Sequence, residues 1–250
     1  MRQTRVMMGM PITVEIVGPT ARQASIDRVF GYFDYVDRKF STYKSDSEIS
    51  RINAGELQSV GYSEDMRHVL KLSEETRRLT DGYFDIRRPD GRYDPSGLVK
   101  GLAIHNAAKM LEAEGYANYY VEAGGDIEAR GRNAQGQPWK IGIQNPFVAE
   151  EVVKVLRVID RGVATSGTYV RGQHIYDPKR RNEPITDIVA LTVIGPDIYE
   201  ADRFATAAFA MGRAGINFIE KLEGFEGYMI GRDGVAVMTT GFESYVDPHV

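Results

Sequence analysis

Tyr119-Tyr120-Val121-Glu122-Ala123-Gly124-Gly125-Asp126-Ile127 is where this chain changes character. Its first five residues are an aromatic and β-branched run closed by two glycines, which reads as a strand entering a loop that approaches a substrate or phosphate. Ahead of it lie mostly helices. Ile26, Val29, Phe30, Phe33, Val36 and Phe40 recur at three- and four-residue steps and give one apolar helical face. A second helix is expected over residues 63–79, with Ser63 placed to cap it and Glu64 and Asp65 suited to its positive end. A third starts near Gly97 and stops at Gly115, because Val99, Ala103, Ala107 and Met110 share a face and glycine commonly ends helices. Ile12, Val14 and Ile16 alternate with polar residues and predict a half-buried strand before the first helix.

Behind the quoted stretch the pattern is mostly strands, at residues 139–143, 152–159, 188–194, 227–230 and 235–238, with Arg232-Asp233-Gly234 as a hairpin turn between the last two. Helices at about residues 200–211 and 214–222 interrupt them. Because strands and helices do not alternate regularly, the pattern predicts an α+β fold rather than a doubly wound parallel sheet. No linker, repeat or low-complexity tract divides residues 1–250, so one unit is expected, with room for a small helical lobe.

The 42% hydrophobic fraction suits a soluble enzyme with a sizeable core, and 31 basic against 35 acidic residues leave a net charge of −4 with no basic stripe for nucleic acid. Cysteine is absent, which removes disulfides, thiolate ligands, a cysteine nucleophile and a lipidated cysteine together. No apolar stretch of signal-peptide length follows Met1-Arg2-Gln3-Thr4-Arg5, and no membrane insertion is expected; both point to the cytoplasm.

Five short motifs carry the chemistry. Asp94-Pro95-Ser96-Gly97-Leu98-Val99-Lys100-Gly101 places an acid and a turn at a helix start, where backbone N–H groups can meet phosphate; a plain Asp-Pro turn would look the same. Lys100 could neutralise phosphate charge or lie on a solvated helix face. Glu122-Ala123-Gly124-Gly125-Asp126-Ile127 is not a GxGxxG fingerprint, so no Rossmann site is read from it. Ala164-Thr165-Ser166-Gly167 offers two hydroxyls in a turn, and His174-Ile175-Tyr176-Asp177-Pro178 sets a histidine ahead of another turn. In Ala201-Asp202-Arg203-Phe204-Ala205-Thr206, Asp202 and Thr206 lie four apart on one helical face. Two hard oxygen ligands there suit Mg²⁺; a helix-dipole role for Asp202 and a backbone bond for Thr206 would also explain them.

In this order, with Phe40-Ser41-Thr42-Tyr43-Lys44-Ser45-Asp46-Ser47-Glu48-Ile49-Ser50-Arg51-Ile52-Asn53, the motifs resemble the ApbE-type FAD:protein FMN transferases from about Met8 to Phe242. The resemblance implies a T-fold-like α+β domain of mainly antiparallel sheet. It also implies a Mg²⁺-dependent enzyme that moves FMN from FAD onto a threonine or serine of an acceptor flavoprotein and releases AMP. By resemblance Asp202, Thr206 and the carbonyl of Gly97 hold the metal, and His174 acts as the base. Flavin-nucleotide contacts fall on Met8, Tyr43, Tyr83, Phe84, Asp85, Asp94, Lys100, Ser166 and Ile185. Many members are exported lipoproteins and commonly have a longer segment between the positions of Asp85 and Asp94; this chain departs on both points. Two rival functions are an FAD pyrophosphatase giving FMN and AMP, and a non-catalytic FAD-binding carrier. Retention of His174, Asp202 and Thr206 counts against the carrier.

Overall fold

Residues 1–88, 90–148, 150–168, 175–180 and 183–248 are described by a computed structural model. In chain order the strands are β1 (Arg2–Met7), β2 (Met10–Ile16), β3 (Tyr119–Ala123), β4 (Asp126–Arg130), β5 (Trp139–Gln144), β6 (Val152–Val158), β7 (Arg161–Gly167), β8 (Tyr176–Asp177), β9 (Glu183–Pro184), β10 (Ile188–Gly195), β11 (Glu226–Gly231) and β12 (Ala236–Met238). The helices are α1 (Gln23–Phe40), α2 (Glu48–Asn53), α3 (Glu64–Leu79), α4 (Ser96–Ala113), α5 (Ile198–Ala210) and α6 (Gly215–Glu220).

Eight strands form one sheet in the order β1-β2-β3-β4-β7-β10-β11-β12, and each neighbouring pair is antiparallel. Strand alternation sorts the side chains between two cores. Ile12, Val14 and Ile16 of β2 and Leu191 and Val193 of β10 join a core with α1, α4 and α5. Ala190 and Ile194 of β10, with Ile127 and Ala129 of β4, face the other way and pack on the separate β5–β6 ribbon. The α+β expectation holds, with helices over one face and a ribbon over the other. Burying side chains such as Phe30, Phe33 and Phe209 stabilises this arrangement by about 1.5–3 kcal/mol each.

Local chemistry sets several boundaries. The Ser63 hydroxyl accepts the Met66 amide at 3.2 Å and starts α3, while Asp197 accepts the Glu200 amide at 3.0 Å and starts α5. Gly124 and Gly125, at φ 59° and 93°, make the two-residue turn between β3 and β4, a conformation with both central φ values positive.

Two readings of the sequence change here. Residues 164–167, expected as a turn, belong to β7 and pair with residues 190–193 of β10, while residues 161–163 of the same strand pair with β4 as well. The strand carries a glycine where α5 rests directly on it: a Cβ at Gly162 would lie 2.2 Å from the Asp197 carbonyl carbon and the Ile198 nitrogen. The Gly-Gly-Asp stretch is a tight hairpin rather than an open loop, and Asp126 begins β4. β1 and α2 were not expected.

After a 3-10 turn at Phe242–Tyr245 the chain crosses the β5–β6 ribbon. Val246 bridges Leu156, the Asp247 amide reaches the Val155 carbonyl at 2.7 Å, and the Asp247 carboxylate lies 2.7 Å from the Lys140 ammonium. Among the described residues no helix is long and apolar enough to cross a membrane.

Candidate active site

Glycine spacing on α4 brings the site together. A Cβ at Gly101 would sit 2.7 Å from the Asp202 Cβ and 2.9 Å from the Ile198 carbonyl, and one at Gly97 would sit 3.1 Å from the Thr206 Cγ2. Only a bare face on α4 lets α5 come this close, and the result is direct backbone access. The Gly101 amide donates to Asp202 Oδ2 at 2.8 Å, and the Thr206 hydroxyl lies 3.4 Å from the Gly97 carbonyl oxygen. Thus Gly97 meets Thr206, 109 residues away, and Asp202 meets Gly101 one turn along α4, at the point where the two helices touch.

That point lies on the floor of a cleft of about 1170 Å³. Small-ligand pockets run roughly 300–1,000 Å³, so the volume suits a large ligand such as a dinucleotide. The walls come from the β1–β2 turn, the segment after α3, the start of α4, the β3–β4 hairpin, β5 and the end of β7. Asp81 and Gly82, at φ 50° and 79°, turn the chain after α3 so that Tyr83, Phe84 and Asp85 border the cleft. Lys179 stacks over the Tyr83 ring at 4.4 Å and pairs with Asp81. The short segment before α4 folds back on itself: Arg87 bridges Tyr93, and the Arg88 amide donates to the Arg92 carbonyl at 2.8 Å. Asp94 then accepts the Ser96 amide at 3.2 Å at the mouth of α4.

Charge on the floor is concentrated and buried. Asp126 is 1% exposed and Asp202 3% exposed, and the Lys100 ammonium lies between them. It pairs closely with Asp126 and stands 3.7 Å from Asp202 Oδ1. Lys100 therefore does not lie on a solvated helix face. Asp126 is fixed by its other oxygen, which accepts the Thr165 amide at 3.0 Å. Burial pushes the Asp202 carboxyl well above the usual range, Lys100 pulls it down, and neighbouring Asp126 pushes it up again. Two buried carboxyl groups thus share one ammonium, which favours a proton on Asp202 that a bound cation would displace.

Among the described residues no group of three or more His, Cys, Asp or Glu side chains is placed to hold a metal. A cation here would rest instead on Asp202, the Thr206 hydroxyl and the Gly97 carbonyl, an all-oxygen set of the kind Mg²⁺ selects. The helix-dipole explanation of Asp202 loses ground, because its carboxylate accepts an amide of another helix while Asp197 caps α5.

Tyr43, Tyr83, Phe84, Asp85, Asp94, Lys100 and Ser166 border the same cleft. Met8 and Ile185 are placed differently. Met8 sits at φ 53° in the β1–β2 turn and packs on the helix-side core, while its neighbours Gly9 and Met10 face the cleft. Ile185 is buried in the helix-side core. His174 lies outside the described residues. Asp126 escaped the sequence reading as a site residue. The signal was its parity: Asp126, Glu128 and Arg130 alternate with Ile127 and Ala129, and polar residues on a strand covered on both faces need specific partners.

Glu128 shows what such a partner does. Fully buried behind the floor, it accepts the Ile198 amide at 2.6 Å and pairs with Arg130 at 2.5 Å, so β4 holds the first turn of α5.

The chain belongs to the ApbE family, whose model matches residues 8–89 and 87–229. It is 34% identical over 169 residues to the FAD:protein FMN transferase of Salmonella typhimurium, covering 64% of this chain and 47% of that protein. With the FAD:protein FMN transferase of Klebsiella pneumoniae it shares 31% identity over 193 residues, covering 73% and 52%. The chain spans about half the length of these two relatives in the matched regions. Its structure is similar to the flavin transferase ApbE of Vibrio cholerae, with a TM-score of 0.84 and 25% identity over 98% of both chains. The ApbE protein of Thermotoga maritima shares the fold, with a TM-score of 0.85 at 20% identity over 99% of both chains.

Proposed function

We propose that this chain is a Mg²⁺-dependent FAD:protein FMN transferase acting on a threonine or serine of an acceptor protein. The observation that carries the reading is that Gly97, Asp202 and Thr206 line one cleft of about 1170 Å³, with the Thr206 hydroxyl 3.4 Å from the Gly97 carbonyl oxygen. The match to relatives named FAD:protein FMN transferase and flavin transferase supports the transfer of FMN from FAD to protein. The acceptor oxygen attacks the FMN-side phosphorus of FAD. A new P–O bond forms as the bond to the bridging oxygen breaks, and AMP leaves with that oxygen. His174 takes the hydroxyl proton, a general-base role.

Gly97, Asp202 and Thr206 would hold Mg²⁺, which when bound supplies charge neutralisation on the transferring phosphoryl group. Tyr43 and Tyr83 offer rings to the flavin, while Phe84, Asp85, Asp94, Lys100 and Ser166 line the path of the nucleotide. Asp126, Glu128 and the close α4–α5 contact keep the floor in place before substrate arrives. Such preorganisation lowers the reorganisation needed at the moment of reaction.

The test is incubation with FAD, Mg²⁺ and a cell lysate, followed by a denaturing gel read for protein-bound flavin fluorescence and by assay of AMP. Mg²⁺-dependent AMP release with labelled protein supports transfer. AMP without any labelled acceptor supports the hydrolase, and neither product supports the carrier.

A further inference from the structure

The reaction outlined above uses Asp126 only to hold the floor, and its contact with Lys100 goes further. Its carboxylate is 1% exposed at the first position of β4, directly after the Gly124-Gly125 turn that fixes its direction. One oxygen accepts the Thr165 amide at 3.0 Å, which locks the rotamer, and the other pairs closely with the Lys100 ammonium. Lys100 leaves α4 one turn after Gly97 and also approaches Asp202 Oδ1, at 3.7 Å. The second oxygen of Asp202 is occupied by the Gly101 amide at 2.8 Å. Oδ1 is thus the oxygen of Asp202 over which a tethered ammonium and an incoming metal ion would compete.

We propose that Asp126 is a positioning residue that holds Lys100 away from Asp202 Oδ1 and so leaves that oxygen to a divalent cation. The inference rests on the metal reading of Gly97, Asp202 and Thr206. An ammonium sitting fully on Asp202 would satisfy its charge from within the chain and close the site. Asp126 prevents this by offering Lys100 a nearer carboxylate that is itself anchored to β7. Direct attraction between Asp126 and the cation would also favour binding, but it differs in one respect: simple charges add, whereas a latch couples Asp126 to Lys100.

Mn²⁺ binding to the full chain without FAD, followed by electron paramagnetic resonance of the free ion, separates these cases. The proteins compared are wild type, Asp126→Asn, Lys100→Met, the double variant and Asp202→Asn, each checked for folding by thermal melting. Asparagine keeps an oxygen for the Thr165 amide. Asp126→Asn should weaken Mn²⁺ binding roughly tenfold, since Lys100 then moves onto Asp202. Lys100→Met should tighten binding by less than about threefold in the wild-type background but by roughly tenfold or more in the Asp126→Asn background. Equal tightening in both backgrounds overturns the latch. If Asp126→Asn does not fold, Asp126→Ser, which also keeps an acceptor for Thr165, is read by the same criterion. Wild-type-like Mn²⁺ binding by Asp202→Asn, or no binding by wild type, overturns the metal reading itself and the latch with it. Loss of binding in Asp202→Asn without coupling between Asp126 and Lys100 overturns the latch alone.

Discussion

Asp202 and Tyr43 border the same cleft, yet the first is 3% exposed and the second 98% exposed. On the floor each functional atom is held by the fold: Asp202 by an α4 amide, Asp126 by a β7 amide, and α5 itself by Glu128 of β4. At the rim the Tyr43 ring is almost fully in solvent. The difference separates two kinds of cost. A change on the floor disturbs packing, charge and chemistry together, while a change at the rim should alter only contact with a ligand.

Gly162→Ala is the severest test of that division. The added methyl would meet backbone at 2.2 Å, and α5 must shift to accept it. We expect a loss of ~3 kcal/mol, roughly 6–12 °C in melting temperature, together with loss of turnover. A melting curve unchanged from wild type would show that β7 does not fix α5. Asp202→Asn tests chemistry on the floor with little change of volume. Turnover should fall by roughly 100-fold and recover in part at raised Mg²⁺, because weakened binding obeys mass action. Thr206→Val should show a milder version, about tenfold, in the same Mg²⁺ titration.

A smaller effect concerns Glu128. Burial pushes its carboxyl up to about 7, against Arg130 and the Ile198 amide, which pull it down. The folded chain keeps a proton there that the unfolded chain, with an ordinary value of 4.5, has already released. This group therefore makes stability fall as pH rises between about 4.5 and about 7, by on the order of 3 kcal/mol in all. Denaturant titrations across that range should show the slope, and Glu128→Gln, neutral throughout, should reduce it to what the buried Asp202 carboxyl contributes. An identical pH dependence in the variant would remove Glu128 from the account.

Tyr43→Ala should do least. Its melting temperature should stay within about 1 °C of wild type, since an exposed ring contributes little to folding. FAD affinity measured by flavin fluorescence should weaken by only a few fold. Marked destabilisation would mean that the rim is part of the scaffold after all.

The same division decides what was legible in the sequence. Helix α3 could be read because Ser63 and its acidic first turn act on neighbouring amides, and the end of α4 because Gly115 adopts a φ of 85°. Strand β7 could not, since Gly162, Ala164, Thr165 and Ser166 lack the bulk that marks a strand. At Gly162 the small size is imposed by the start of α5, more than thirty residues later in the chain. Asp202, Thr206 and Gly97 were placed through motif resemblance, and the structure brings them together. Asp126 was hidden because its meaning lies in Lys100 and Thr165, which no local pattern joins to it. Met8 and Ile185 rest on the resemblance alone, and Ile185 is buried in the helix-side core while Met8 packs against it.

The pairing of β2 with β3 has a consequence for synthesis on the ribosome. Ile16 of the early hairpin meets Tyr119, so its free edge has no partner strand until residues 119–123 have been translated. At 5–20 residues per second the delay is roughly 5–20 s, during which α1, α3 and α4 emerge without the sheet on which they will rest. Translation speed through the helical segment, rather than any step after release, should therefore govern how long this apolar edge is open to neighbouring nascent chains.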